Sequence, residues 1–433
     1  MMVPAARLVM VAALVALPAA TIGGASPAAT GPCVAILILC AAVAGIDAIL
    51  ARRRIQSLLA RVPASLRLTK NVAAAIPITL DNRGTRELPV RLALTFPDPM
   101  GGGPSAVQSI AAGPGALVIH YPCTAQARGD HRLTALDLET RSPFGLWLVR
   151  VTRKLDCTLR VYPNLRDHAT AALFLRTADP GARLRRLAGK GREFDNLRQY
   201  MPGDSFEDIH WKATAKRNYP AVKLYRAEHA QELYAVVDAS RLSAREGILE
   251  NYVDAALHLA LVAERQGDRF GLVTFSDRTQ RIVRARSGMD HFRLCRETIY
   301  NLRAQRVSPD FRDVFTSLQL NLRRRSLLVF FTSLDDALLA ETFEREAALL
   351  ARRHLVVVFV SQTPGVRPLF TEESAGDLES IYGALAGQMA LNRMKELKIA
   401  LQNRGVKLSV AEPARIKQQV ANAYLDVKRR QAL

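Results

Sequence analysis

Leu233-Tyr234-Ala235-Val236-Val237-Asp238-Ala239-Ser240 reads as a buried strand that stops at a carboxylate. An unbroken apolar run suits a strand covered on both faces, where alternation is lost. The chain downstream repeats the theme. Residues 248–266 have helical periodicity, 270–275 and 281–283 read as strands, and 291–304 and 311–322 as helices. A strand at 326–332, a helix at 337–352 and a strand at 355–360 follow, then a long helix at 378–403, a strand at 406–410 and a helix at 416–428. Strands alternating with helices predict a doubly wound, mostly parallel sheet over residues 227–433. Ligands of such sheets meet the carboxyl ends of strands, and Asp238 stands at one.

Just upstream lies the most distinctive stretch, GKGREFDNLRQYMPGDSFEDIHWKATAKR, residues 189–217. Pro202-Gly203 signals a turn. Asp204 with Glu207 three residues on reads as a capping box. Phe206, Ile209, His210 and Ala213 then share a helical face. Gly189-x-Gly191 is too short to be a nucleotide motif, because neither GxGxxG nor GxxxxGK[ST] is present. Asp195, Asp204, Asp208 and His210 could form an acid/base group. The reading favoured is an ion-pair network with Arg192, Arg198, Lys212 and Lys216. Trp211 is expected to pack rather than to stack on a ligand.

Residues 55–165 read as short strands with no clear helix: 74–80, 88–94, 116–121, 131–138, 146–151 and 157–162. Asp81-Asn82-Arg83-Gly84 is a turn, and residues 101–115 form a Gly/Pro-rich loop. This pattern implies a β-sandwich. Ahead of it, residues 3–22 and 32–50 are apolar runs near the ~20 residues that cross a bilayer. Arg52-Arg53-Arg54 follows the second run, and the positive-inside rule puts it in the cytoplasm. The prediction is a transmembrane hairpin over 1–54 in the inner membrane, multi-pass, with residues 52–433 cytoplasmic. A cleaved signal peptide is the alternative for the first run. Asp47, near the end of the second, is expected to reach the interface or loop polar groups.

The 433 residues carry 60 Lys and Arg against 40 Asp and Glu, a net charge of +20. Such a chain suits an acidic partner: nucleic acid, anionic lipid or an acidic protein surface. With 49% hydrophobic residues it folds, which excludes collagen-like and disordered classes. Five scattered cysteines make neither a disulfide framework nor a zinc site, and fit a reducing compartment. No Ser/His/Asp triad follows from spacing, because triads are recognised by geometry. Cys295 reads as a core residue.

The 189–217 run resembles the signature of the domain-of-unknown-function-58 family of bacterial membrane-associated proteins. Arg141-Ser142-Pro143-Phe144-Gly145-Leu146-Trp147 and Val161-Tyr162-Pro163 resemble its upstream elements. The order of parts agrees as well: hairpin (1–54), β-sandwich-like domain (55–165), signature segment (166–226) and α/β domain (227–433). The resemblance implies a C-terminal domain like von Willebrand factor A, no established enzymatic activity, and partnership with a MoxR-type AAA+ ATPase. Glu193, Arg198, Tyr200, Gly203, Asp204, Trp211 and Lys212 become the candidate partner-binding signature residues.

Asp238-Ala239-Ser240-Arg241-Leu242 resembles the DxSxS motif of the metal-ion-dependent adhesion site of von Willebrand factor A domains. That likeness implies an oxygen-ligand site for Mg²⁺ or Mn²⁺ on Asp238 and Ser240. Leu242 replaces the second Ser, although Ser243 is one residue away. Ser308-Pro309-Asp310 offers no matching Thr, and Ser333 stands where an Asp is usual unless Asp335 substitutes. The functional expectation is a membrane-anchored, non-enzymatic interaction module that contacts its partner at the Asp238 end and the signature, and lipid through its hairpin. The alternatives are a metal-dependent phosphoester or nucleic-acid hydrolase and an electrostatic nucleic-acid binder. The last ranks lowest, since the charge is spread along the chain.

Overall fold

A computed structural model describes the chain except residues 26, 98–99, 101–106, 165–187, 203, 227–230, 246, 363–377, 414 and 431–433; of residues 27, 188–196, 217, 224–226 and 378–380 it describes the backbone only. Two units are distinguished, Met1–Asn164 and Leu165–Leu433.

In the first unit a short strand, β1 (Met2–Pro4), leads into helices α1 (Ala6–Ala25) and α2 (Thr30–Gln56). Both helices are long and apolar enough to cross a membrane. Arg53 and Arg54 close the last turn of α2, where cations complement the carbonyl end of the helix. The strands that follow are β2 (Leu58–Arg61), β3 (Ser65–Thr69), β4 (Ala73–Asn82), β5 (Leu88–Thr95), β6 (Gln108–Ala112), β7 (Gly115–Thr124), β8 (Gly129–Arg141) and β9 (Trp147–Tyr162). One sheet runs β1-β9-β8-β5-β6 with β3 parallel to β9, and the other β2-β4-β7. Alternation does the sorting. In β5, Leu88, Val90, Leu92 and Leu94 point inward while Pro89 and Arg91 point out. They share a core with Ile76, Ile78 and Leu80 of β4 and Leu136 and Leu138 of β8.

The expected sandwich is present, with differences in detail. The strands read at 146–151 and 157–162 are one continuous strand, β9, because β8 pairs with it from Leu148 to Val161, across the join. Strand β6 lies inside the stretch read as a loop, and β2 and β3 were not foreseen.

The hairpin is locked to this sandwich by the loop before β9. Asp47 of α2 is buried and its carboxylate accepts from the backbone N–H of Phe144 (2.9 Å) and of Leu146 (3.3 Å). The Trp147 indole donates back to the Ala44 carbonyl at 2.9 Å. Ala5, just ahead of α1, donates to the Leu146 carbonyl at 2.8 Å. Gly145 turns the loop at φ +74, and a Cβ there would press on Arg7 Nη1 at 3.1 Å. Asp47 thus reaches loop polar groups, as expected from its position.

In the second unit, β10 (Ala188–Gln199) and β11 (Ala221–Arg226) pair antiparallel around a short helix, α3 (Trp211–Arg217). The α/β part follows as β12 (Glu232–Asp238), α4 (Ile248–Arg265), β13 (Arg269–Phe275), β14 (Thr279–Arg286), α5 (Met289–Ile299), α6 (Phe311–Asn321), β15 (Leu327–Phe331), α7 (Ala337–Ala351), β16 (Leu355–Ser361), α8 (Leu378–Asn403), β17 (Val406–Ala411) and α9 (Ile416–Arg429). The sheet order is β14-β13-β12-β15-β16-β17, with every pair parallel except β13–β14. Alternate residues of β12 feed two cores. Leu233, Ala235 and Val237 join α4, α5 and α9 on one face, and Tyr234 and Val236 join α6 and α7 on the other. Tyr234 lies across from Gly271, where a Cβ would collide with its ring.

Candidate functional site

The strand order reverses between β12 and β15, the point where doubly wound sheets open a crevice at the carboxyl ends. Here the two strand ends are joined. Asp238 is fully buried; one carboxylate oxygen accepts from the Ser240 N–H at 2.7 Å and the other from the Thr332 hydroxyl at 2.6 Å. Ser240 is buried too, and its hydroxyl accepts from the Leu242 N–H at 3.3 Å. Beneath them, the Tyr252 hydroxyl donates to the Thr332 carbonyl at 2.7 Å and accepts from the Ser361 N–H at 3.0 Å. Burial pushes the Asp238 carboxyl above the usual carboxylate range, against the bonds from Thr332 and Ser240 that pull it down.

Above this buried floor sit paired charges. Arg241 donates to Asp336 (2.9 Å) and to the Ser308 hydroxyl (2.9 Å), and Arg245 donates to Asp335 at 2.7 Å. The Arg241 guanidinium holds Asp336 below the usual carboxylate range, helped by the N–H groups of Leu339 and Leu338, which Asp336 caps at the start of α7.

As arranged, these residues do not fit a divalent cation. The donor set has one carboxylate, and both of its oxygens already accept short hydrogen bonds. Leu242 is buried at the second Ser position, and Asp335 and Asp336 are engaged by arginines. The neighbouring Ser243 hydroxyl is buried and has no hydrogen-bond partner among the described residues. A cation of octahedral habit would need more than this one carboxylate and hydroxyls. Among the described residues no group of three or more His, Cys, Asp and Glu side chains gathers to hold a metal.

The signature segment is built differently from its expected capped helix. Asp204 does not cap: its carboxylate accepts from Arg198 Nη2 (2.6 Å) and from the Met201 N–H (2.9 Å), which lower its pKa, the backbone bond most. The strand before it therefore holds the residue that a helix would need. The chain makes a 3₁₀ turn at Phe206–Asp208, and α3 starts only at Trp211, with His210 Nδ1 accepting from the Ala213 N–H at 3.0 Å. Asn218 ends it in the left-handed conformation. Tyr200 stacks on Phe206 at 5.7 Å and donates its N–H to the Pro220 carbonyl. Trp211, expected to pack, is 69% exposed; Phe206 is 72% exposed, and Lys212 is exposed. Glu193 lies on β10, paired in register with Arg226, and its side chain is outside the described set, as are Gly203 and the side chain of Asp195. Asp204 is held by Arg198 and the Met201 N–H, and His210 Nδ1 by the start of α3.

Cys295 is buried beside His291, with Sγ 3.6 Å from Nε2, and burial pushes its thiol up to about 12. A thiol held neutral is no nucleophile. The partner of Asp238, Thr332, stands at the end of another strand and carries no local sequence signal. Arg241 stood inside the quoted motif, but only its contacts mark it as part of the surface.

Residues 196–364 match the family model described as Protein of unknown function DUF58. The resemblance read from the central motif is borne out over that stretch. No match was found among curated proteins. Among solved structures, the chain is similar to the SpRpn10 VWA domain, at 12% identity and TM-score 0.28, covering 45% of this chain and 95% of that one. It is similar to the conserved hypothetical protein BatB from Bacteroides thetaiotaomicron, at 12% identity and TM-score 0.29, covering 46% and 99%. A PapD-like domain of human CEP192 is matched at 14% identity and TM-score 0.18, over 25% of this chain and 87% of that one.

Proposed function

We propose that this protein is a membrane-anchored, non-enzymatic interaction module. Its α/β unit presents the carboxyl edge of its sheet to a protein partner, and a MoxR-type AAA+ ATPase is the partner the family resemblance implies. One observation carries the reading. The switch point that would hold a ligand is stapled shut by Asp238 and Thr332, while Arg241, Arg245, Asp335 and Asp336 lie over it with side chains 30–54% exposed. Surface ion pairs contribute at most about 1 kcal/mol to folding, so they are cheap to exchange for contacts with a partner. The two apolar helices and the arginines that follow them support anchoring, with the sandwich and the α/β unit on the cytoplasmic side.

The test is capture by the detergent-extracted full chain, wild type against Arg241→Glu/Arg245→Glu, in Mg²⁺ or EDTA, read by mass spectrometry. An AAA+ ATPase held by wild type and lost in the variant is the expected result. Equal capture by both would sink the surface. Failure of wild type to hold any ATPase would sink the partner.

A further inference from the structure

At the end of α2 a cleft of about 340 Å³ opens against the turn between β4 and β5. Arg53, Arg54 and Ser57 line it from the helix, and Gly84, Arg86 and Glu87 from the turn. None of the three guanidinium groups has a carboxylate partner among the described residues; the neighbouring Arg83 is held by Asp81 at 3.8 Å instead. Three cations against one anion leave a surplus of two positive charges.

The cleft is built on a fixed frame. Buried Asn82 donates to the carbonyls of Arg86 (3.0 Å) and Ala112 (2.9 Å) and accepts from the Gly84 N–H (2.9 Å). The Ser57 hydroxyl donates to the Arg54 carbonyl, and the Arg83 N–H to the Ser57 carbonyl. These bonds hold the turn that carries Arg86 against the helix end that carries Arg53 and Arg54. The planar forks of arginine suit phosphate oxygens two at a time.

Height completes the argument. The exposed apolar side chains of α2 continue through Ile46, Ile49 and Leu50, and the first basic residue is Arg52. The docking of Ala44 and Asp47 on the 142–147 loop sets the inner edge of the hydrocarbon near those residues. Arg53 and Arg54 then stand about 10 Å beyond that edge at roughly 1.5 Å per residue, on the headgroup side, where basic pockets attract anionic lipid.

We propose that this cleft is a phosphate-binding site, occupied by the headgroup phosphodiester of an anionic phospholipid. The inference rests on the membrane-anchored reading. Glu87 at the rim removes one charge, so a singly charged diester suits the cleft better than a polyphosphate.

The test uses the purified full chain in detergent, with phosphatidylglycerol titrated and bound lipid counted by native mass spectrometry. Arg53→Gln/Arg86→Gln should bind about 30-fold more weakly, which is roughly 2 kcal/mol at 1.4 kcal/mol per tenfold. Arg67→Gln/Arg132→Gln, an equal charge change at exposed strand positions, should match wild type. A second arm titrates inorganic phosphate by calorimetry. Phosphate bound by wild type and lost in the cleft variant would support the site and make free phosphate a second source. Equal losses in the cleft and control variants, or no binding of either probe by wild type, would overturn it. Anchoring is judged apart from this, by whether the chain stays with membranes through an alkaline wash. Release there would sink the anchored reading and leave the phosphate arm to decide the cleft.

Discussion

Asp47 and Asp238 are both fully buried carboxylates that tie distant segments together, yet their partners differ in kind. Asp47 faces two backbone N–H groups, donors that cannot turn round. Asp238 faces one N–H and one hydroxyl, and the Thr332 hydroxyl can donate or accept. The first site therefore requires an acceptor at both oxygens. The second tolerates a neutral group that donates to Thr332. A buried carboxylate is thus no single kind of object, and its partners decide whether its charge is needed.

The largest effect should come from Asp47→Ala. The buried Leu146 N–H and the part-buried Phe144 N–H would lose their acceptor, and unfolding of the first unit followed by pulse proteolysis should show a loss of about 3 kcal/mol. Asp47→Asn should cost about 2 kcal/mol, since its amide nitrogen would face an N–H. Trp147, bonded to the same helix, gives a local fluorescence signal for both. In the other unit, Asp238→Ala should cost about 2 kcal/mol. Asp238→Asn should change stability by less than about 0.5 kcal/mol, because its amide can accept from Ser240 and donate to Thr332. A large loss there would break the contrast between the two sites.

The pH dependence sharpens it. Asp238 has its pKa raised on folding, so the folded state holds the proton more tightly than the unfolded one. That contribution is present below the usual carboxylate range and is lost as pH rises through the raised value. Thermal midpoints of wild type should fall over that window relative to Asp238→Asn, whose own curve should be flatter. Adding Mg²⁺ or EDTA should move neither midpoint. A metal-dependent rise in wild type alone would restore the cation reading. The smallest effect is expected from Trp211→Ser, under about 0.5 kcal/mol, because the ring is already in water.

Much of the α/β unit was legible because its strands are short apolar runs separated by amphipathic helices. The amphipathic helix read at 248–266 is α4, and the long helix read at 378–403, which has no marked apolar face, is α8. What failed did so for tertiary reasons. Asp204 has the local look of a helix cap, and Arg198 on the preceding strand takes it away. The 101–115 loop contains β6 because β5 offers an open edge to its last residues. The site was half legible. Asp238 was marked by its strand end, but Thr332 is bonded to it across 94 residues, a distance that no local pattern spans. Asp47 stood out as a charge in an apolar run, and its partners in the 142–147 loop became visible only with the fold.

Strand β9 carries a mechanical consequence. Its sixteen residues, roughly 50 Å at 3.3 Å each, run from the Trp147 anchor on α2 to Tyr162, with one bulge between Lys154 and Cys157. Strand β8 pairs along most of that length, and β1 and β3 brace the other edge. A pull along β9 would load these ladders in shear, so many bonds would have to slide together before any one yielded. Tension on the helices would then pass down a stiff strut rather than stretch a tether.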